Sequence, residues 1–177
     1  MRAWTSEREV AAQAFTIRPR AGLATLRDAD TVVVPGIDDV ARPIPQTLVS
    51  ALRRAAARGA RIVSICSGAF VLAATGLLDG RRATTHWLAT DLLAQRHPAI
   101  RVEPDALFVD EGALLTSAGA AAGLDLCLHL VRRDFGAEVA AHAARCAGMP
   151  LTREGGQAQY IRRPEDRGAE EVSLAPL

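Results

Sequence analysis

The sequence predicts an α/β fold: an open, mainly parallel sheet layered by helices on both faces. Three stretches carry that expectation. Thr31-Val32-Val33-Val34 is a continuous β-branched run closed by Pro35-Gly36, the pattern of a strand buried on both faces. Gln46 to Arg58 has helical periodicity with Gly59 after it as a stop, and Ile62 to Ile65 is a second short apolar run. Strand, helix and strand in that order make one βαβ unit over residues 31–65. At 177 residues the chain is long enough for one domain with a full core and short for two.

The elements follow in order. Ala14 to Arg18 reads as a strand and Ala21 to Leu26 as a short helical turn, ending in Asp28 and Asp30. Pro43 and Pro45 mark the start of the first long helix, because proline suits the first turn. Along that helix Leu48, Leu52, Ala55 and Ala56 share one face while Arg53, Arg54 and Arg58 face water. After Ile65 the chain meets Cys66 and becomes a helix of small residues, ended by Gly76 and the Asp79-Gly80 turn. Arg82 to Thr85 reads as a short strand, and Trp87 to Arg96 as a helix with Leu88 and Leu92 inward, stopped by Pro98. Ile100 to Val102, Ala106 to Val109 and Ala113 to Thr116 are short strands, the last two paired as a hairpin about Asp110-Glu111-Gly112. Ser117-Ala118-Gly119 leads into a helix over 120–133 with Leu124, Leu128 and Val131 on one side, and an Ala-rich helix follows from about Ala137 to Ala147. Past Gly148, the run Arg153-Glu154-Gly155-Gly156-Gln157 and the Arg/Pro/Glu-rich stretch from Arg162 show few anchors, so a flexible tail is expected there, over 164–177.

Composition excludes several classes of function. All 21 basic residues are arginine, so Schiff-base and pyridoxal-phosphate lysine chemistry is ruled out. No asparagine is present, which removes any Cys-His-Asn triad. The formal net charge of +1 provides no global field for nucleic acid or an anionic membrane, and no apolar run approaches the ~20 residues of a membrane span. Three cysteines, Cys66, Cys127 and Cys146, make no C-x-x-C and are odd in number, so reduced thiols in the cytoplasm are expected. No cofactor and no metal are implied.

The reactive candidate is Cys66. Small residues stand two before and two after it in Ser64-Ile65-Cys66-Ser67-Gly68, the spacing of a nucleophile elbow between a strand and a helix. Such a turn places the sulfur at a helix N-terminus, where open N–H groups favour a thiolate. It also lies at the carboxyl end of a strand, where open α/β sheets carry their sites.

Val32-Val33-Val34-Pro35-Gly36, Ser64-Ile65-Cys66-Ser67-Gly68-Ala69-Phe70 and Thr84-Thr85-His86-Trp87 together resemble the ThiJ/PfpI superfamily, extended by Leu115-Thr116-Ser117-Ala118-Gly119 and Ala122-Gly123-Leu124-Asp125-Leu126. Gly76-Leu77-Leu78-Asp79-Gly80-Arg81-Arg82-Ala83 and Gly155-Gly156-Gln157-Ala158-Gln159-Tyr160 are similar to the sensor domain of GlxA-type regulators of the AraC/XylS class. The resemblance implies a flavodoxin-like three-layer sandwich occupying residues 1–163, related to the class I glutamine amidotransferases. It also implies an acidic partner for the cysteine on a first strand, with its helix, that has no counterpart here. The DNA-binding helix-turn-helix of those regulators has no counterpart either, so a truncated domain without direct nucleic-acid binding is expected.

In that family the backbone N–H groups of Ile37, after Pro35-Gly36, and of Ser67 would form an oxyanion hole, and His86 would lie beside Cys66. The resemblance supports two functions: a sensor that takes an unknown small-molecule ligand above Cys66, as a homodimer, or a cysteine-dependent hydrolase or isonitrile hydratase-like enzyme. Against catalysis stand the missing acid and Ser67 where hydrolytic members carry histidine. His142 and Cys146 have an i, i+4 spacing that suits zinc but lack a second pair. Cys127 and His129 are expected to pack, Asp110 and Glu111 to be solvated, and the pairs Arg81-Arg82 and Arg132-Arg133 to make no nucleic-acid site.

Overall fold

A computed structural model describes residues 10–11, 16–18, 21–150 and 153–159. A two-residue antiparallel pair comes first, β1 (Val10–Ala11) with β2 (Thr16–Ile17), and a 3-10 turn over Leu23–Asp28 follows. Ala14 and Phe15, in the strand expected there, lie outside the described residues, as do residues 160–177 with the expected tail. The main sheet contains β3 (Thr31–Val34), β4 (Arg61–Ile65), β7 (Phe108–Glu111) and β8 (Leu114–Ser117), in the spatial order β3-β4-β8-β7. β3 and β8 both run parallel to β4, with Val33 opposite Val63 and Ser64 opposite Thr116; β7 closes the sheet antiparallel to β8.

Burial explains why β4 reads as an apolar run. Ile62, Val63 and Ser64 are all buried, because helices cover both faces of this central strand. On one side Ile62 joins a core with α1 (Gln46–Ala57), α2 (Gly68–Ala74) and α3 (Thr90–Arg96), through Leu52, Ala55, Phe70, Leu72 and Leu93. On the other, Val63 packs with Leu115, Ala122 and Leu126, beneath α4 (Ala121–Phe135), and α5 (Ala137–Cys146) packs on α4. The architecture is the three-layer sandwich that the resemblance implied.

Four expectations need correction. The strand at Arg82 is β5 (Arg82–Ala83), only two residues long, and it pairs with β6 (Arg101–Val102) outside the main sheet. Thr84 and Thr85 leave strand geometry: the Thr84 N–H donates to the Thr116 hydroxyl of β8 and the Thr85 hydroxyl donates to the Cys66 carbonyl. The helix expected from Trp87 starts as a 3-10 turn, Trp87–Ala89, so the phase shifts: Leu93 is buried and Leu88 is 70% exposed. The buried face of α4 is Ala122, Gly123, Asp125 and Leu126, leaving Leu124 50% exposed. Close approach to β4 decides this in the first turn: a side chain on Gly123 would come within 3.2 Å of Ile65, while further along Leu126 still fits inside. The hairpin forms with both strands displaced toward the C-terminus: Gly112, at φ +81, makes the turn while Asp110 and Glu111 stay in β7.

Candidate functional site around Cys66

β4 ends at Ile65, and Cys66 adopts φ +55 before the chain enters α2. A left-handed conformation costs a non-glycine residue roughly 1–2 kcal/mol, so the surroundings must hold it. They do so through the backbone. The Cys66 N–H donates to the Ser117 carbonyl at 2.9 Å, and the Cys66 carbonyl accepts from the Thr85 hydroxyl at 2.9 Å and the Ala69 N–H at 3.3 Å.

Glycines make room for the turn. A Cβ on Gly68 would lie 2.6 Å from the carbonyl oxygens of both Val34 and Pro35, so α2 can start here only with glycine. Gly119, at φ +96, has its back against the cysteine; a Cβ there would come within 3.0 Å of Cys66 Sγ. Gly36 faces the same turn, with a notional Cβ 3.4 Å from Cys66 Cβ and 3.3 Å from Ser67 Oγ. Three separate loops therefore converge on one half-buried thiol.

The expected oxyanion donors are divided by this geometry. Ser67 Oγ accepts from the Ile37 N–H at 2.8 Å and donates to the Ile37 carbonyl at 2.7 Å, so the Ile37 N–H is engaged. The Ser67 N–H has no hydrogen-bond partner among the described residues and remains open beside the sulfur. His86 caps the 3-10 turn, its Nδ1 accepting from the Leu88 N–H at 3.3 Å, and its ring lies 5.8 Å from that of Trp87. Its neighbour Thr85 touches the cysteine backbone, but among the described residues no hydrogen bond joins His86 to Cys66 Sγ. An apolar cavity of about 190 Å³ begins at Pro35 and Ile37 and runs along β3 past Val33, which is 46% exposed.

Residues 153–159 make polar contacts of their own with the domain. Gln159 Nε2 lies 2.9–3.1 Å from the carbonyl oxygens of Thr85, Pro104 and Ala106 and from Thr84 Oγ1. Arg153 grips Asp125 with contacts of 2.5–3.1 Å. The motif Gly155 to Tyr160 was the available signal, although nothing in its composition shows what it touches.

The remaining candidates settle elsewhere. Asp110 is bonded to His129 Nε2 at 2.7 Å and to Arg133, and Glu111 to Arg82 at 2.7 Å, so these carboxylates are paired where solvation was expected. Burial alone would raise the Asp110 carboxyl, but hydrogen bonds from His129 and the Gly112 N–H outweigh it and hold the group below the usual carboxylate range. Cys127 is on the exposed side of α4, where partial burial of its thiol pushes its pKa up. His142 Nε2 and Cys146 Sγ are 3.6 Å apart on α5, and among the described residues no cluster of three metal-ligating side chains exists. No helix of the described residues is long and apolar enough to cross a membrane.

Comparison with known proteins shows the family of the chain. Residues 7–133 match the model of the DJ-1/PfpI family. The HTH-type transcriptional regulator CdhR of Pseudomonas aeruginosa is 34% identical over 131 residues, covering 74% of this chain and 39% of that regulator. The isonitrile hydratase of Pseudomonas putida is 39% identical over 114 residues, covering 63% of this chain and 48% of the enzyme. Among solved structures, an AraC family transcriptional regulator from Pseudomonas putida superposes with a TM-score of 0.68 at 25% identity, over 80% of this chain and 77% of that one. The chain belongs to the DJ-1/PfpI family, and its relatives include AraC-type transcription regulators.

Proposed function

We propose that this DJ-1/PfpI domain is the ligand-sensing part of a transcription regulator, recognising a small molecule in the space above Cys66 and responding to the state of that thiol. One observation carries the reading: the strained turn at Cys66 is kept, but the groups that catalysis needs are committed elsewhere. The Ile37 N–H is taken by Ser67 Oγ, and His86 is turned to its own helical turn. A thiol confined by glycines, with the Ile37 N–H engaged and no base bonded to it among the described residues, supports binding and reversible oxidation better than turnover. We infer a cytoplasmic homodimer, to which β3 contributes: it is an edge strand among the described residues and carries the exposed Val33.

The likeness to the isonitrile hydratase supports a second reading, in which Cys66 adds to the isonitrile carbon and water releases a formamide. One experiment separates the two. The chain is incubated with cyclohexyl isonitrile while formamide is followed, and in parallel its melting temperature is scanned against free amino acids, short carboxylic acids and amines. A ligand-dependent rise in melting temperature without formamide supports sensing. Formamide production that is lost in Cys66→Ser overturns it.

A further inference from the structure

The segment 153–159 is held to the domain by polar contacts that end at the cysteine turn. Arg153 Nε and Nη2 bind the carboxylate of Asp125, whose side chain is only 2% exposed. The Gly155 carbonyl accepts from the N–H groups of Leu107 at 2.6 Å and Phe108 at 3.2 Å. Only glycine fits there, because a Cβ would stand 2.7 Å from the Phe108 carbonyl oxygen and 2.8 Å from its ring. Gln159 then reaches across Thr84, Thr85, Pro104 and Ala106, and Thr85 passes the connection on, its hydroxyl donating to the Cys66 carbonyl at 2.9 Å.

Two features make this attachment conditional. The Gln159 amide has two hydrogens for four acceptors, while its own Oε1 is buried without a partner. Glu154, Gly156, Gln157 and Ala158 are exposed, so no apolar burial holds the segment down. Elements of that kind open at low free energy. Their release depends on the positions of Thr85, which borders the cysteine, and of the 104–106 loop.

We propose that Gln159 is a positioning residue for the Cys66 site, and that 153–159 is a strap whose docking is coupled to what occupies that site. Filling the space at Cys66 displaces Thr85, frees Gln159 and undocks 153–159. The coupling rests on the sensing reading for its biological use, but its measurement needs no natural ligand.

The test uses the full chain carrying Cys127→Ser and Cys146→Ser, so that Cys66 is the single thiol, and iodoacetamide as the occupant. Hydrogen exchange at the Leu107 and Phe108 amides, which the strap covers, is the first readout. Carbamidomethylation of Cys66 accelerates it at least about fivefold, and Gln159→Ala does the same without reagent. Because Thr85 contacts both Gln159 and the Cys66 carbonyl, Gln159→Ala is also expected to change the alkylation rate of Cys66 and its pH profile, while Gln157→Ala, in the same exposed strap, changes neither. Arg153→Ala provides a second way to undock the strap should Gln159→Ala fold poorly. Exchange at 107 and 108 that is indifferent to Cys66 modification overturns the proposal, and so does an alkylation rate unaltered by undocking. A failed ligand search would defeat the sensing reading and leave this coupling standing; an uncoupled strap would leave ligand-dependent melting shifts intact.

Discussion

Replacing Gly119 with alanine tests the claim that the cysteine turn is shaped from three sides. Two costs are expected. At φ +96 a side chain pays for the left-handed backbone, roughly 1–2 kcal/mol. The new Cβ would also overlap Cys66 Cβ and press within 3.0 Å of Cys66 Sγ and Cα, an overpacking penalty of about 1–3 kcal/mol. Together these give about 2–5 kcal/mol, or a fall in melting temperature of roughly 5–15 °C for a domain of this size. Gly112→Ala separates the contributions, because Gly112 has φ +81 but nothing within 4 Å of its notional Cβ. That variant should lose only the backbone part, about 1–2 kcal/mol. The assay is urea unfolding of both variants, with the alkylation rate of Cys66 measured alongside. Gly119→Ala should slow alkylation sharply and Gly112→Ala should leave it unchanged. Equal stability losses with equal thiol reactivity would refute the packing argument, since the strain would then be generic and the contact with Cys66 irrelevant.

Other perturbations follow from single contacts. Ser67→Ala removes both hydrogen bonds to Ile37 and leaves its N–H without the hydroxyl, costing about 1–3 kcal/mol in denaturant unfolding. Arg153→Ala strips the cation from the buried Asp125; because Arg153 is itself about one-third exposed, the loss should sit near the low end of a broken buried pair, about 2–3 kcal/mol, and Asp125→Asn in the same background should recover part of it. Burial lowers the pKa of His97, with Arg96 adding to that and Asp79 opposing it, so the folded state binds its proton less readily than the unfolded chain. Stability is therefore full above about pH 6.5 and declines as pH falls through the lower folded value, and urea unfolding of His97→Gln at pH 7.5 and pH 5 should show a smaller acid-side loss. For Asp110 the folded pKa is also depressed, so its contribution is present above about pH 4 and is lost only in stronger acid; Asp110→Asn should remove that dependence and about 1 kcal/mol at neutral pH.

The layered fold was legible because its central strands are simple. Ile62 to Ser64 are buried on both faces of the sheet, and that burial leaves an unbroken apolar run that periodicity detects; Val32 and Val34 are buried too, but Val33 between them is 46% exposed, so that run reads as doubly covered when only one face is. Helix α4 was misread for the opposite reason. Apolar periodicity assigns the largest side chains to the core and so puts Leu124, Leu128 and Val131 on the inner face. Against β4, however, distance rules over hydrophobicity: Ala122 and Gly123 go inside because Ile65 and Ser117 leave no room, and Leu124 is left outside. The short 3-10 turn at Trp87 shifted the phase of α3 by the same kind of local rule, which no 3.6-residue pattern contains.

The site divides along similar lines. A small-x-Cys-x-small spacing shows where a strand must turn sharply, and Cys66 at φ +55 lies there. It does not show how neighbouring polar groups spend their hydrogen bonds. Ser67 and Ile37 are 30 residues apart, and their reciprocal bond exists only in three dimensions, yet it engages one of the two expected oxyanion donors. Gln159 was invisible for a related reason: an anchor made of one amide and several carbonyls has no periodicity and no apolar signature. The consequence is physical. A strained backbone costs free energy, and here it is held by Gly68, Gly119 and Thr85 with no base bonded to the sulfur among the described residues. In a thiol enzyme that strain would serve to present a nucleophile to its base. Even so it fixes the sulfur where three loops meet, so any change in the size or charge of that atom must be taken up by those loops and by Thr85, which bonds the Cys66 carbonyl and also contacts Gln159 of the strap.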